Sequence, residues 1–297
     1  MVCRRAADID PVGKSLCCLN LPINSVYLSF ECESARSYGE SGTMTDAKPA
    51  IIETAWQGWR YAFAAFSRMP LVLGAGMLLT LVVTLVTFPL MPVGARESGL
   101  TETLIGLVIG VVQGFLLTPV AIATHRFVLL GELAPRYAPD PKDARFMRFF
   151  VFSVVYQLLV VVPATLMQFT DKTSGWLAGL LGFAGFVLFI AAMIISLRVL
   201  ILFPAIAVDA RGADWRNALL DSKGHTWRIF FIVLLTALPM LVVAIPLYYT
   251  FAWPPGPGVA AATVLSVFQA VIGVLALAAF AAVASRLFAA FSRRLNG

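Results

Sequence analysis

Six apolar runs, at residues 71–91, 104–124, 149–169, 176–197, 229–252 and 259–285, constrain this chain more than anything else in it. Each holds 20 or more residues, and at ~1.5 Å rise per residue a helix of that length crosses a ~30 Å hydrocarbon core. The runs are apolar on every face, whereas a lipid-facing barrel strand alternates polar and apolar residues over about ten positions. The expected fold is therefore all-α, a polytopic helical membrane protein with six transmembrane helices. Composition agrees: of 297 residues 60% are hydrophobic and 13% charged, against ~25% charged in an average soluble domain.

The net charge of +6 would suggest nucleic acid as a partner in a soluble chain. Here the basic residues flank the apolar runs, so membrane orientation accounts for them and no nucleic-acid partner is expected. Lys48, Arg60 and Arg68 precede the first run, and Arg126, Arg136, Lys142, Arg145 and Arg148 lie between the second and third. Arg198, Arg211, Arg216, Lys223 and Arg228 lie between the fourth and fifth, and Arg286, Arg293 and Arg294 follow the sixth. The alternate loops carry only Arg96 and Lys172. The positive-inside rule then places both termini on the cytoplasmic side of a multi-pass protein, expected in a bacterial inner membrane.

Arg198 interrupts AMIISLRVLILFPAIAVD, where a guanidinium buried in lipid costs at least ~2.5 kcal/mol. Counted from the interfacial Trp176, the run spans ~33 Å, so Arg198 reaches the headgroup level and terminates the span. The following VLILFPAIAV covers ~15 Å if helical, too short to cross again, and holds Pro204. It is expected to lie at, or dip into, the inner interface.

Arg198 has counterparts. Spans two, four and six end in THRFVLLG, SLRVLILF and ASRLFAAF, placing Arg126, Arg198 and Arg286 alike. SRMPLVLG, MRFFVFSV and WRIFFIVL place Arg68, Arg148 and Arg228 ahead of spans one, three and five, each 80 residues after the last. The chain reads as three tandem hairpins, each preceded by a cytoplasmic amphipathic helix, with arginine anchors at both cytoplasmic ends. Positive-inside arginines alone would produce a similar pattern. Because all hairpins enter and leave on one side, this is not the inverted repeat of many secondary transporters.

The segment 44–70 contains IIETAWQGWRYAFAAFSRM, with Ile52, Trp56, Trp59, Phe63 and Phe66 at alternating steps of four and three. That stripe predicts an amphipathic helix, either in the interface plane or packed on the protein's own cytoplasmic side. In ADWRNALLDSKGHTWRI a second helix is expected, capped by Asp214 and weak near Gly224. Residues 71–288 form the expected transmembrane domain, and 289–297 a cytoplasmic tail. All four cysteines, Cys3, Cys17, Cys18 and Cys32, fall in residues 1–43 without zinc or signal-peptide spacing. That segment reads as a disordered tail, or as a misassigned extension ahead of a true start at Met44.

Gly106, Gly110 and Gly114 on the second span, and Gly179, Gly182 and Gly185 on the fourth, are candidate helix-packing positions, within the chain or between copies. Gln113, Gln157 and Gln269 are candidate intramembrane polar residues able to bond across helices. Between the arginines no span carries Asp, Glu, Lys, Arg or His, which counts against ion-coupled carriers. Pro119, Pro163, Pro239 and Pro246 are read as kinks. His125 and His225 have no paired carboxylates, and no HExxH, P-loop, GxSxG or CxxC is present. No catalytic residue, cofactor or metal site is expected.

FPAIAVDARGADWRNALLDSKGHTWRIFFIVLL resembles a recurrent stretch of bacterial six-span proteins similar to the membrane domain attached to some glycerophosphodiester phosphodiesterases. In those a span ends in arginine and a proline-containing apolar turn, and an AL…S…G…W/R helix leads into the next. The matching positions are Arg198, Pro204, Ala218, Leu219, Ser222, Gly224, Trp227 and Arg228. The resemblance implies a membrane module, with no room for the hydrolase domain and no catalytic residues carried over. The expected function is a non-catalytic lipid-facing or assembly module whose partners are membrane lipids, a further protein or a second copy of the chain. The alternative is a permease for an apolar or zwitterionic solute along the three glutamines, and an intramembrane lipid enzyme ranks third.

Overall fold

The computed structural model describes residues 49–87, 100–169, 175–252 and 259–295. The expectations for the 1–43 segment with its cysteines, the Met44 start, Arg96 and Lys172 lie outside the described residues. The helices are α1 (Ile51–Arg68), α2 (Pro70–Thr87), α3 (Leu100–Leu130), α4 (Ala144–Phe169), α5 (Trp176–Val199), α6 (Leu202–Ala207), α7 (Trp215–Asp221), α8 (Thr226–Ala252) and α9 (Val259–Phe291). Six of them, α2, α3, α4, α5, α8 and α9, are long and apolar enough to cross a membrane, and no strand occurs among the described residues.

At one end of the bundle the helices outrun the apolar runs. α3 continues past Arg126 to Leu130, α4 starts ahead of Arg145 and Arg148, and α9 continues past Arg286 to Phe291. Arginine is a good helix former, so the backbone ladder ignores the change in polarity that ends the run. Gly131 closes α3, taking φ +67° while its N–H donates to the Phe127 carbonyl at 3.1 Å, a left-handed cap that only glycine adopts without strain. Inside the spans, Thr80, Thr84, Thr118, Thr124 and Thr236 each donate to the carbonyl four residues back. Their hydroxyls are thus satisfied without a neighbouring helix.

α9 is the central helix, touching α1, α2, α3, α6 and α8. Its second half, LALAAFAAVASRLFAAF, buries Ala276, Ala278, Ala279, Ala281, Ala282 and Ala284. Side chains that small let several neighbours approach the same backbone. The glycine stripes drew attention to spans two and four, but the small-residue surface that organises the bundle is this alanine run.

α1 packs by a face that the sequence reading did not single out. Ala55, Gly58, Ala62 and Ala65 recur at steps of three, four and three and are buried with Thr54. A Cβ on Gly58 would stand 2.5 Å from Val283 Cγ2 and 3.2 Å from the Ala279 carbonyl, so α1 and α9 meet nearly backbone to backbone. The aromatic stripe points elsewhere: Ile52, Trp56, Phe63 and Phe66 are exposed. Trp59 alone turns partly inward, its indole N–H donating to the Thr236 carbonyl of α8 at 3.1 Å.

The segment expected at the inner interface is enclosed by protein. Ile201, Leu202, Ala205, Ile206 and Ala207 are buried among α3, α4 and α9, and Phe203 inserts into a cage of Phe149, Phe152 and Tyr156 with ring centroids 4.8 to 5.4 Å away. Length correctly forbids a second crossing, but α6 turns into the bundle because the apolar ends of three helices offer tighter contacts there than lipid does. The three hairpins share their arginines but not their preceding helices. α1 precedes the first and α6 with α7 the third, whereas residues 131–143 before α4 hold no helix.

Candidate functional site at the arginine-bearing end

The polar chemistry of the described spans gathers around residues 200–222. A short helix leaves its last carbonyls without intrahelical partners, and α6 and α7 each receive an arginine there. Arg126 Nη1 of α3 donates to the Ala207 carbonyl at 3.2 Å. Arg198 Nη2 of α5 donates to the Leu219 carbonyl near the end of α7, and its Nε to Ser222 Oγ at 3.3 Å. A third arginine, Arg148 of α4, donates to the Ala213 carbonyl at 3.1 Å. Charge-assisted bonds of this kind are worth ~1.5–3 kcal/mol each.

Other contacts fix the same segment. α6 ends in a Schellman turn, with Asp209 N–H bonded to the Ile206 carbonyl and Ala210 N–H to the Ala205 carbonyl. Asp209 occupies the position usually held by glycine, at φ +53°, and its carboxylate pairs with Arg145 Nε at 2.8 Å. Asp214 caps α7 as expected, accepting from the Arg216 N–H. From the chain end, Arg294 and Leu295 N–H donate to Asp221 Oδ2 at 2.9 and 3.1 Å, while Gly212 N–H donates to the Leu295 carbonyl at 3.2 Å. Leu295 itself is fully buried. The expected tail is thus, through Leu295, the last strap across the segment.

The remaining arginine anchors behave differently. Arg68 lies over the Phe127 ring at 5.8 Å and Arg286 over the Tyr61 ring at 6.0 Å, both within cation–π range. Arg228 holds one buried guanidinium nitrogen without a hydrogen-bond partner. Arg126 also binds Glu132 Oε2 through Nε and Nη2, at 2.7 and 2.6 Å.

Among the described residues, His125 and Ser285 form a buried pair that superficially suggests catalysis, with Nδ1 and Oγ 2.8 Å apart. The Ser285 hydroxyl also lies 2.9 Å from the Ala281 carbonyl; where it donates there, Nδ1 of His125 is the donor and Ser285 Oγ its acceptor. A nucleophile needs the proton to run the other way. Both groups are buried and join α3 to α9, an arrangement suited to clamping helices. Among the described residues no group of three or more His, Cys, Asp or Glu stands close enough to hold a metal.

Of the glycines, Gly110 lies directly beneath the Gln157 amide, Gly114 faces Ser153 Oγ at 3.7 Å, and Gly185 faces Met167 Cγ at 3.0 Å. These are contacts within the chain, α3 to α4 and α4 to α5. Gly106 and Gly179 have nothing within 4 Å of a built Cβ, and Gly182 is half-buried. No hydrogen bond joins Gln113, Gln157 and Gln269. The first two are half-buried on neighbouring helices, and Gln269 is exposed on α9.

A cleft of about 210 Å³ opens beside this end, with Val72, Pro119, Ile122 and Phe146 in its walls and Arg126, Arg136, Asp140 and Asp143 at its rim. Tyr137, from the loop bordering it, reaches back to donate its hydroxyl to the Leu116 carbonyl at 2.6 Å. Burial pushes the Tyr137 phenol above its ordinary range. Trp59 repeats the device, because each aromatic tip binds the carbonyl three residues before a helix proline, Pro119 or Pro239. Proline removes the donor of the carbonyl four residues back, that of Phe115 or Leu235, so these bonds fall on the carbonyl next to the opened one, and no sequence pattern announces which distant side chain supplies them. No protein-family model, curated protein or solved structure matches this chain.

Proposed function

We propose that the chain is a non-catalytic integral module of the bacterial cytoplasmic membrane, with both termini inside, acting at its cytoplasmic face by holding lipids or a protein partner. The observation that carries this reading is where the ionisable and hydroxyl groups are committed. Arg126, Arg148 and Arg198 bind main-chain carbonyls, and His125 and Ser285 bind each other. Groups committed to architecture are not available to a substrate. The likeness of residues 198–228 to the membrane domain of glycerophosphodiester phosphodiesterases supports the same reading, because those arginine, serine and glycine positions are the ones that build the segment around α6 and α7. The permease alternative gains no support from placement, since Gln269 stands exposed on α9 while Gln157 covers Gly110 of α3.

The test is purification in mild detergent followed by native mass spectrometry. A stoichiometric lipid or protein on the intact chain is the expected result. Saturable solute flux in proteoliposomes, abolished by changing Gln113, Gln157 and Gln269 to Leu, would overturn it.

A further inference from the structure

Helix α1 has three faces. At ~100° per residue, Thr54, Ala55, Gly58, Ala62 and Ala65 form one sector, Ile52, Trp56, Phe63 and Phe66 a second, and Glu53, Gln57, Arg60, Ser67 and Arg68 the third. The first is buried against α8 and α9. The second is exposed, Ile52 by 74% and Trp56 by 64% of their surface. The third is polar, with Gln57 Nε2 donating to Glu53 Oε1 at 2.9 Å along it. A helix immersed in water has no use for an outward aromatic sector, and one immersed in lipid has none for an outward polar one. Only a boundary between the two satisfies both.

Depth points the same way. Gly58 abuts Val283 and Ala279, three and seven residues before Arg286 on α9, so its contact lies roughly 5–10 Å below the guanidinium level along that helix axis. Interfacial helices bury their apolar face by a similar ~5–10 Å into the headgroup and acyl boundary. The aromatic sector also continues into lipid-facing surface, because α2 follows at once and exposes Leu71 and Leu78. At the same end of the bundle, Trp227 is exposed at the start of α8 and Trp215 on α7. Tryptophan at this level is the usual mark of the membrane–water interface.

We propose that α1 is a wedge in the inner leaflet: its aromatic sector contacts acyl chains just below the headgroups, its polar sector faces the cytoplasm, and its small-residue sector holds it on α9. The occupant of the exposed face is therefore the lipid bilayer rather than a protein. This rests on the membrane reading above and adds a one-sided insertion that the six spans alone do not require.

The full chain, reconstituted with Trp56 as its sole tryptophan, is measured in phosphatidylcholine vesicles brominated near the carbonyl end or near the methyl end of the acyl chains. The expected result is loss of Trp56 emission chiefly with the shallow bromines and protection from aqueous iodide. Quenching by iodide, with none by either brominated lipid, overturns the wedge. A companion chain carrying Phe183→Trp as its sole tryptophan, at an exposed position inside α5, separates the two readings. If that probe also escapes both lipids, the membrane reading fails; if it alone is quenched by the deep bromines, only the wedge does. Should loss of the Trp59 bond impair folding, Ile52→Cys with a spin label, in a chain whose four cysteines are serine, reports the same depth. Relaxation by oxygen supports insertion and relaxation by an aqueous nickel chelate overturns it.

Discussion

The two ends of this bundle are built differently although the same helices run through both. At the arginine end α9 buries nearly every residue from Ala276 to Phe288, α6 is enclosed, and arginines from three helices bind one segment. Toward the other end Leu78, Val82, Leu104, Val108, Phe183, Phe186, Val242 and Ile245 stand exposed. The contrast also holds helix by helix, since half of the most apolar window of α9 is buried but only 11% of that of α4. Lipid tails are as apolar as leucine, so a span gains little by hiding its side chains from them. Helices in the hydrocarbon are held by close backbone approach and by hydrogen bonds, and both are concentrated where the alanines and arginines are.

The largest contrast comes from one truncation made at both ends. Ile201→Ala removes a fully buried side chain from beside α6 and is expected to lower stability by ~2–5 kcal/mol, mostly as an unfilled cavity. Ile245→Ala, at a position exposed by 51% of its surface, should stay within ~0.5 kcal/mol because lipid refills the space. Reversible unfolding in bicelles reads both. Equal losses would abolish the distinction between the ends.

Arg198→Met ranks next. It keeps the apolar stem but removes the charged donor from the Leu219 carbonyl and from Ser222 Oγ, an expected loss of ~1.5–3 kcal/mol. Cysteines placed on α7 should then label faster, while those on α2 should not change. If Arg198 served only as a headgroup anchor, Met would alter orientation or insertion and leave α7 as protected as before.

The arginine result also marks what sequence reasoning reaches. That arginines would gather at one end of the bundle was legible from run length and loop charge, because those are local and additive. Their partners were not, since Arg126 and Ala207 are 81 residues apart and the acceptor is main chain. Likewise the aromatic stripe of α1 was legible and its packing face was not. Alanine and glycine carry almost no hydropathy signal, yet their small size sets how closely helices approach. The short apolar run at 199–208 announced that it could not cross, but nothing in it says whether lipid or protein receives it.

Close approach supplies a third comparison. Gly58→Ala sets a Cβ against the branched Val283 side chain and a main-chain oxygen, so α1 must shift and ~1–3 kcal/mol is expected to be lost. Gly110→Ala meets only the end of Gln157, a flexible side chain able to swing aside, and should cost less than Gly58→Ala by the same unfolding measurement. A costlier Gly110 would mean that the α3–α4 contact is as rigid as the α1–α9 one.

The smallest effects are expected at Gly106 and Gly179, whose built Cβ atoms meet nothing within 4 Å. Within one chain, Gly→Ala there adds helix propensity and should stabilise by up to ~1 kcal/mol. If a second copy used those faces, the added methyl would separate two backbones and weaken the association instead. Unfolding and oligomeric state are therefore measured together, over a range of protein-to-lipid ratios. Unchanged association with a small gain in stability assigns these faces to lipid, and extends to Gly106 and Gly179 the loose construction of the end opposite the arginine cluster. Loss of association would show that this end is completed by another chain.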